Sequence, residues 1–297
     1  MQIATSLFYD RSSKAMTQLS KQADALQTQI STTKKFTAPS SDSAAYQRLA
    51  GIARDTANDV AYGANLTTAA SVLKQSDTTL SALTDQLQRA SELVVQARNG
   101  TLNEAARKAI GVEIANIVDS VAGLANVKDL RGLPIFGGAD GGAAAVKQTD
   151  GSYVLATTSV SPIPIGDGQA VQANESASRV LSAGGKDTLA VLGAIAAALQ
   201  SDSFEPASLD TALDDLNAAA EQVSTIQASL GARASRVDLE TTRLKDVAID
   251  RDETRQAIED TDITSTVVEL QRTMTILSAT QASFSKLSAL SLFDYLR

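Results

Sequence analysis

The sequence predicts a mainly α fold: a long antiparallel coiled-coil helix bundle built from both chain ends, with a small β-hairpin and mixed insertion in the middle. Three observations predict it. Apolar residues alternate at spacings of 3 and 4 through both flanks of the 297-residue chain, which is the seam of a coiled coil. Residues 131–204 lose that period and collect glycine and proline. Aromatics make up only 4% of the chain and Trp is absent, a mix that suits long helices packed through small and aliphatic side chains.

The first helix is expected from about Ile3 to Lys35, carrying the stripe Leu7, Phe8, Met16, Leu19, Ala23, Leu26 and Ile30. Thr37-Ala-Pro-Ser-Ser-Asp42 breaks it, because the residue before a proline leaves the α region and Ser and Asp favour turns and caps. A second, very long helix starts near Ser43. Its seam is Leu73, Ser76, Leu80, Leu83, Leu87, Ala90, Val94 and Ala97. Asn99-Gly100 ends it, since glycine takes the left-handed conformation of a helix C-cap. Thr101-x-x-Glu104 follows with the pattern of a capping box. Ile110, Ile114, Ile117, Val121 and Leu124 form the seam of the third helix, which the short connection places antiparallel to the second.

Between Arg131 and Phe204 the glycines 132, 137, 138, 141 and 142 exclude a helix. Tyr153–Val160 reads as a strand, Ile163 and Ile165 flank a Pro-containing turn, and Asp187–Leu199 reads as one short helix. The chain then returns to helix, with Leu209, Leu213, Leu216, Ala220, Val223, Gln227, Leu230, Ala234 and Val237 in one register. The last stretch, Asp262 to Arg297, carries Ile263, Val267, Leu270, Met274 and Leu277 at spacings of 4, 3, 4, 3, and then Phe284, Leu287, Leu290 and Phe293. The expected organisation is a helix over 1–40 paired with 257–297, core helices over 41–130 packed with 205–256, and the insertion at 131–204. Apolar stripes at both ends imply either a closed intramolecular pair or an open assembly.

Composition excludes several chemistries. Cys and His are both absent, which removes Cys/His zinc sites, thiol nucleophiles, imidazole acid–base catalysis and disulfides. No carboxylate pair falls in an apolar pocket pattern, so general acid–base catalysis has no candidate residues and no enzyme is expected. A net charge of −8 argues against nucleic acid as a partner. No run approaches the roughly 20 apolar residues of a membrane span, and residues 1–8 lack the basic start of a secretory signal. The terminal helices have polar faces rich in Ser, Thr and Gln and poor in Lys and Arg, unlike a membrane-surface helix. A membrane-active amphipathic protein is the competing class, against which this composition argues, and stable membrane insertion is not expected.

The remaining motifs read as structure. Ala183-Gly-Gly-Lys-Asp-Thr188 resembles a phosphate loop, but Val180 and Asp187 stand where glycine and Ser or Thr are required; a turn and helix cap is expected. Gly137–Gly142 reads as a hairpin tip. The acidic run Asp250, Asp252, Glu253, Glu259, Asp260 and Asp262 is interleaved with Arg251 and Arg255 and lacks calcium-loop spacing, so Arg255 and Glu259 are expected to pair along a helix. Neither cofactor nor metal is expected. Asn65-Leu-Thr67, Asn99-Gly-Thr101 and Asn174-Glu-Ser176 match the glycosylation tripeptide, a pattern that arises often by chance.

Two segments go beyond a generic coiled coil. Leu87–Leu102 (LQRASELVVQARNGTL) resembles the bacterial flagellin core motif, in which an amphipathic helix ends in Asn-Gly-Thr. Arg255–Ile263 (RQAIEDTDI), preceded by Leu230–Val237 (LGARASRV), resembles the C-terminal flagellin pattern, and Pro39–Ala44 (PSSDSA) resembles the turn after the first family helix. The matches keep the family's order and leave Arg131–Phe204 unmatched. At the ends, MQIATSLFYD and Leu290–Leu296 (LSLFDYL) are similar to the hook-associated branch, whose members join hook to filament; a filament-forming flagellin is the alternative. Ser-Ser-Asp-Ser stands here where that branch has a Pro-Ser-Asp-Asp-like turn.

The resemblance implies a structural role and an extracellular place in the flagellum, with export through the flagellar secretion apparatus without a cleaved signal peptide. It implies other copies of this chain, flagellin and hook-associated proteins as partners, and an export chaperone. It also implies terminal helices that order on assembly, for which the stripes give a reason: with few large side chains they bury too little alone to offset ordering entropy. Assembly is accordingly assigned to Leu7, Leu19, Leu26, Ile30, Leu270, Met274, Leu277, Phe284, Leu290 and Phe293.

Overall fold

The computed structural model describes residues 2–36, 38–99 and 102–295, with side chains from residue 7 to residue 286 within those ranges. The helices are α1 (Gln2–Thr32), α2 (Ser43–Ala97), α3 (Glu104–Ala125), α4 (Ala177–Leu181), α5 (Thr188–Gln200), α6 (Ala212–Glu259) and α7 (Ile263–Tyr295). Six short strands lie between α3 and α5: β1 (Ala145–Lys147), β2 (Tyr153–Leu155), β3 (Ile163–Gly166), β4 (Gln169–Val171), β5 (Ser182–Ala183) and β6 (Lys186–Asp187). The chain divides into two compact units, residues 59–245 and residues 1–58 with 246–297.

In the unit spanning 59–245, the stretch of α2 from Leu73 to Ala97 buries every predicted seam residue. Its partners run against it. Arg89 of α2 pairs with Glu113 of α3 at 2.7 Å, and the Gln75 amide donates to the Lys128 carbonyl at 2.8 Å. Arg98 pairs with Asp210 at 3.1 Å, and Gln227 of α6 donates to Asp77 at 2.8 Å. Falling residue numbers on α2 meet rising numbers on α3 and α6, so both neighbours are antiparallel to it.

The seam of α6 and of the turn before it is Leu209, Ala212, Leu216, Ala219, Val223, Ile226, Leu230 and Val237. This corrects the predicted register at every second position: Leu213, Ala220, Gln227 and Ala234 lie half-buried beside it. The two readings share Leu209, Leu216, Val223, Leu230 and Val237. At the alternate positions Ala212, Ala219 and Ile226 take the inner place, and the Gln227 amide sits at the rim on Asp77 and Ser81.

α5 packs along α3, and Gly111 permits the approach. A Cβ there would meet Leu199 Cβ at 3.0 Å and the Ala196 carbonyl at 3.1 Å. Arg107 of α3, almost buried, closes the end of α5. Its guanidinium donates to the carbonyls of Leu199 (2.6 Å) and Ser201 (2.8 Å) and stacks on Phe204. These are carbonyls that a helix end leaves without internal donors.

The insertion holds three two-stranded antiparallel hairpins, where sequence periodicity had shown one. The strand at Tyr153 is only three residues long and pairs with β1. Gly137–Gly142 is a run of turns ahead of β1, not a hairpin tip; Gly137 has no room for a Cβ against the Gly142 carbonyl. Ala183–Thr188 is a hairpin turn through Gly184 and Gly185, both at positive φ, followed by Asp187 capping α5 through the Leu189 amide. Asn174 is buried and donates to the Ile135 carbonyl, and Asn65 donates to the Pro164 carbonyl, so two of the three glycosylation-like tripeptides hold structure. The α3 cap is Asn103, accepting from the Ala106 amide at 2.7 Å. Glu104 is therefore the first helical residue rather than the third of a capping box, and Gly100 and Thr101 lie outside the described residues.

In the other unit, Thr33 adopts φ 59° and ends α1. Asp42 accepts from the amides of Ala44 and Ala45 and starts α2. Asp262 does the same for α7 through Thr264 and Ser265.

Candidate assembly interface

α1 and α7 pair antiparallel along their length. Tyr9 meets Phe284, Gln22 donates to Glu269, and Lys34 bridges Asp260. On α1 the inward residues are Tyr9, Ser12, Met16, Leu19, Ala23, Leu26 and Ile30, an unbroken alternation of 3 and 4 in the phase of the predicted stripe. Leu7 and Phe8 fall off it, at 50% and 42% exposure.

On α7 the inward face keeps part of the predicted seam and replaces the rest with threonines. It comprises Thr266, Val267, Leu270, Thr273, Leu277, Thr280 and Phe284, with Thr266 and Thr273 buried and with Val267, Leu270, Leu277 and Phe284 shared with the predicted seam. Ile263 and Met274, members of the predicted seam, point away at 46% and 50% exposure. The reason lies in threonine chemistry. The Thr266 hydroxyl donates to the Asp262 carbonyl one turn back, so the side chain presents its methyl as a small apolar surface. A small residue at the seam lets α1 approach where isoleucine or methionine would hold it off.

Of the ten residues assigned to assembly, Leu19, Leu26, Ile30, Leu270, Leu277 and Phe284 line the α1–α7 seam, while Leu7 and Met274 face outward. The side chains of Leu290 and Phe293 lie outside the described residues. Val268 and Ile276, which sequence reading passed over, add to the outward apolar surface at 61% and 43% exposure. The inward places of Thr266 and Thr273 gave no signal in the sequence, because the buried threonines read as polar.

Beside this pair lies an open groove of about 920 Å³, walled by Tyr46, Leu49 and Ile52 of α2 and by Arg251 and Arg255 of α6, with Phe36 at one end. Arg255 reaches Asp252 at 2.7 Å and Glu259 at 3.1 Å. The hydrogen bond from Lys34, reinforced by Arg255, holds the Glu259 carboxyl below its ordinary range against the opposing effect of burial. Among the described residues no group of acidic side chains is placed to hold a metal ion, and no helix is long and apolar enough to cross a membrane.

Residues 3–140 match the family model for the bacterial flagellin N-terminal helical region, and residues 213–296 match that for the C-terminal helical region. The chain belongs to the bacterial flagellin family. The two flagellin regions are the two helical flanks, and most of the insertion lies between them. Flagellar hook-associated protein 3 of Escherichia coli K12 is 25% identical over 314 residues, spanning 99% of each chain. The protein of the same name from Salmonella typhimurium is 31% identical over 153 residues, 52% of this chain and 48% of that one. A solved flagellar hook-associated protein from Vibrio parahaemolyticus shares the fold with a TM-score of 0.67 at 23% identity, covering 74% of this chain and 100% of the other. This flagellin-family chain is a structural component of the flagellum, and its family role is assembly with other flagellar components.

Proposed function

We propose that this chain is the hook-associated subunit that joins hook to filament, assembling with copies of itself through the outer faces of α1 and α7. The observation that carries the reading is the end-to-end likeness to flagellar hook-associated protein 3, which extends through the insertion as well as the flanks. The outward apolar residues Leu7, Met274, Val268 and Ile276 supply the physical means. A helix pair closed on itself and still apolar outside needs neighbours. Contacts between unlike faces of successive subunits generate a ring or helical array.

In this role the partners are other copies, flagellin on one side and hook-associated proteins on the other. An export chaperone would cover the apolar ends before secretion. The protein works outside the cell, delivered by the flagellar secretion apparatus without loss of a signal peptide, and performs no catalysis. Electron microscopy of the purified protein, with and without short flagellin seeds from the same cell, tests this. Monomers that attach to hook or filament ends are expected. Long filaments of this chain alone would make it a filament flagellin instead. Binding to liposomes with a gain of helix would make it membrane-active.

A further inference from the structure

We propose that residues 33–35 and 259–261 form a paired joint, in which one strained residue and one buried carboxylate lock the exit of α1 to the break between α6 and α7. Thr33 is the one non-glycine residue at positive φ among those described. A β-branched residue there is a genuine outlier, and such strain persists only where the surroundings over-determine it.

The surroundings here come from the far end of the chain. The Thr261 amide donates to the Thr33 carbonyl at 2.9 Å, and the Lys35 amide donates to the Glu259 carbonyl at 2.7 Å. Lys34 and Asp260 stand opposite each other as a single antiparallel bridge. Side chains close the rung: the Lys34 ammonium contacts the Glu259 carboxylate, which also accepts from Arg255 at 3.1 Å. Glu259 is only 8% exposed, so its charge has few other means of satisfaction.

The position of the rung gives it consequence. α1 ends at Thr32, α6 ends at Glu259 and α7 begins at Ile263, so both helical paths break at one level. With the rung formed, α1 cannot turn at its exit without breaking bonds to the last residue of α6 and to the segment that leads into α7. With the rung broken, Thr33 relaxes from the left-handed region and its strain favours the open form. The joint is thus a two-state element, and the helix pair it carries moves as one body while Glu259 remains charged and engaged. This goes beyond the junction reading and stands or falls separately from it.

Residue-resolved amide hydrogen exchange on the full chain tests the joint. Glu259→Gln keeps the shape and removes the charge. It is expected to speed exchange at the Lys35 and Thr261 amides together, by roughly tenfold, and to leave the Leu26 amide unchanged. Thr33→Asn places a residue that tolerates the left-handed region. It is expected to slow exchange at the same two amides by about threefold or more. Acceleration at only one of the two amides in Glu259→Gln would overturn the coupling. Unchanged or faster exchange in Thr33→Asn would overturn the strain. Thr33→Asn removes no bond between the two segments and decides alone if Glu259→Gln loses helix content.

Discussion

Tyr9 and Phe284 meet edge to face across α1 and α7, with ring centroids 5.3 Å apart and planes at 88°. The contact lies toward the opposite end of the pair from the Lys34–Asp260 bridge. Such a pair contributes about 0.5–1.5 kcal/mol beyond the area it buries. Phe284→Ala is expected to lower the local stability of the α1–α7 pair by about 1–2 kcal/mol. Limited proteolysis should cut both helices about tenfold faster near that end, while the unit spanning 59–245 keeps its resistance.

Gly111 and Gly123 sit on the same helix and should respond with opposite signs. Gly111→Ala places a methyl against the Ala196 carbonyl and Leu199, forcing α3 and α5 apart at a cost of about 1–3 kcal/mol. Gly123→Ala meets nothing within 4 Å and gains about 0.5–1 kcal/mol of helix propensity. Denaturant unfolding of the two variants measures both.

Arg107 should be the polar residue of α3 least tolerant of change. Arg107→Met leaves the Leu199 and Ser201 carbonyls without their donor and removes the cation above Phe204. A loss of about 2–4 kcal/mol is expected. Arg107→Lys should recover only part of it, because an ammonium cannot fork to two carbonyls and stack at once. Denaturation midpoints of the three proteins rank them.

The helical flanks were legible because burial there follows period. Every seam residue predicted from Leu73 to Ala97 is buried, and an aliphatic seam needs only size and spacing to be seen. The insertion was less legible. Its strands are two to four residues long, shorter than a period-2 pattern needs to declare itself. They are fixed by contacts no local pattern shows, such as Asn126 bridging the backbone of Ala144 and Ala145. At the interface, the spacing found Leu270, Leu277 and Phe284 on the inner face of α7 but put Ile263 and Met274 where threonines stand. Thr266 and Thr273 count as polar in a pattern yet are buried in the seam, and at Thr266 the helix satisfies the hydroxyl and leaves a small apolar surface. The flagellin motifs, by contrast, rest on cap and turn chemistry, and Asp42 and Asp262 perform that chemistry in the structure.

Acid should weaken the joint at Glu259. Its folded pKa lies below the unfolded value because Lys34 and then Arg255 favour the charged form, with burial opposing. The stability it contributes is therefore fully present above the unfolded pKa near about 4.3, and is lost as pH falls through the lower folded value. Wild type and Glu259→Gln should differ in exchange at Lys35 and Thr261 at neutral pH and converge below that window, where the carboxyl is neutral in both. A difference that persists unchanged at low pH would assign the effect to shape rather than charge.

The α7 helix carries two kinds of apolar residue, inward and outward, and substitution should separate them in solution. Leu277 lies on the seam with α1, whereas Met274 is half exposed on the outer face. Leu277→Asp places a charge between the helices and should abolish assembly by opening the pair, with faster proteolysis of α1 and α7 in the isolated chain and the unit spanning 59–245 still folded. Met274→Asp places its charge in water and should leave the isolated chain's proteolysis and melting unchanged, within about 0.5 kcal/mol. Assembly should still fail, because a neighbour packing on Ile263, Met274 and their surroundings would have to bury an unpaired carboxylate. End attachment seen by electron microscopy, read beside proteolysis of the free subunit, distinguishes the two. If Met274→Asp attaches normally, the outward face of α7 is not the contact surface and the seam residues alone carry assembly.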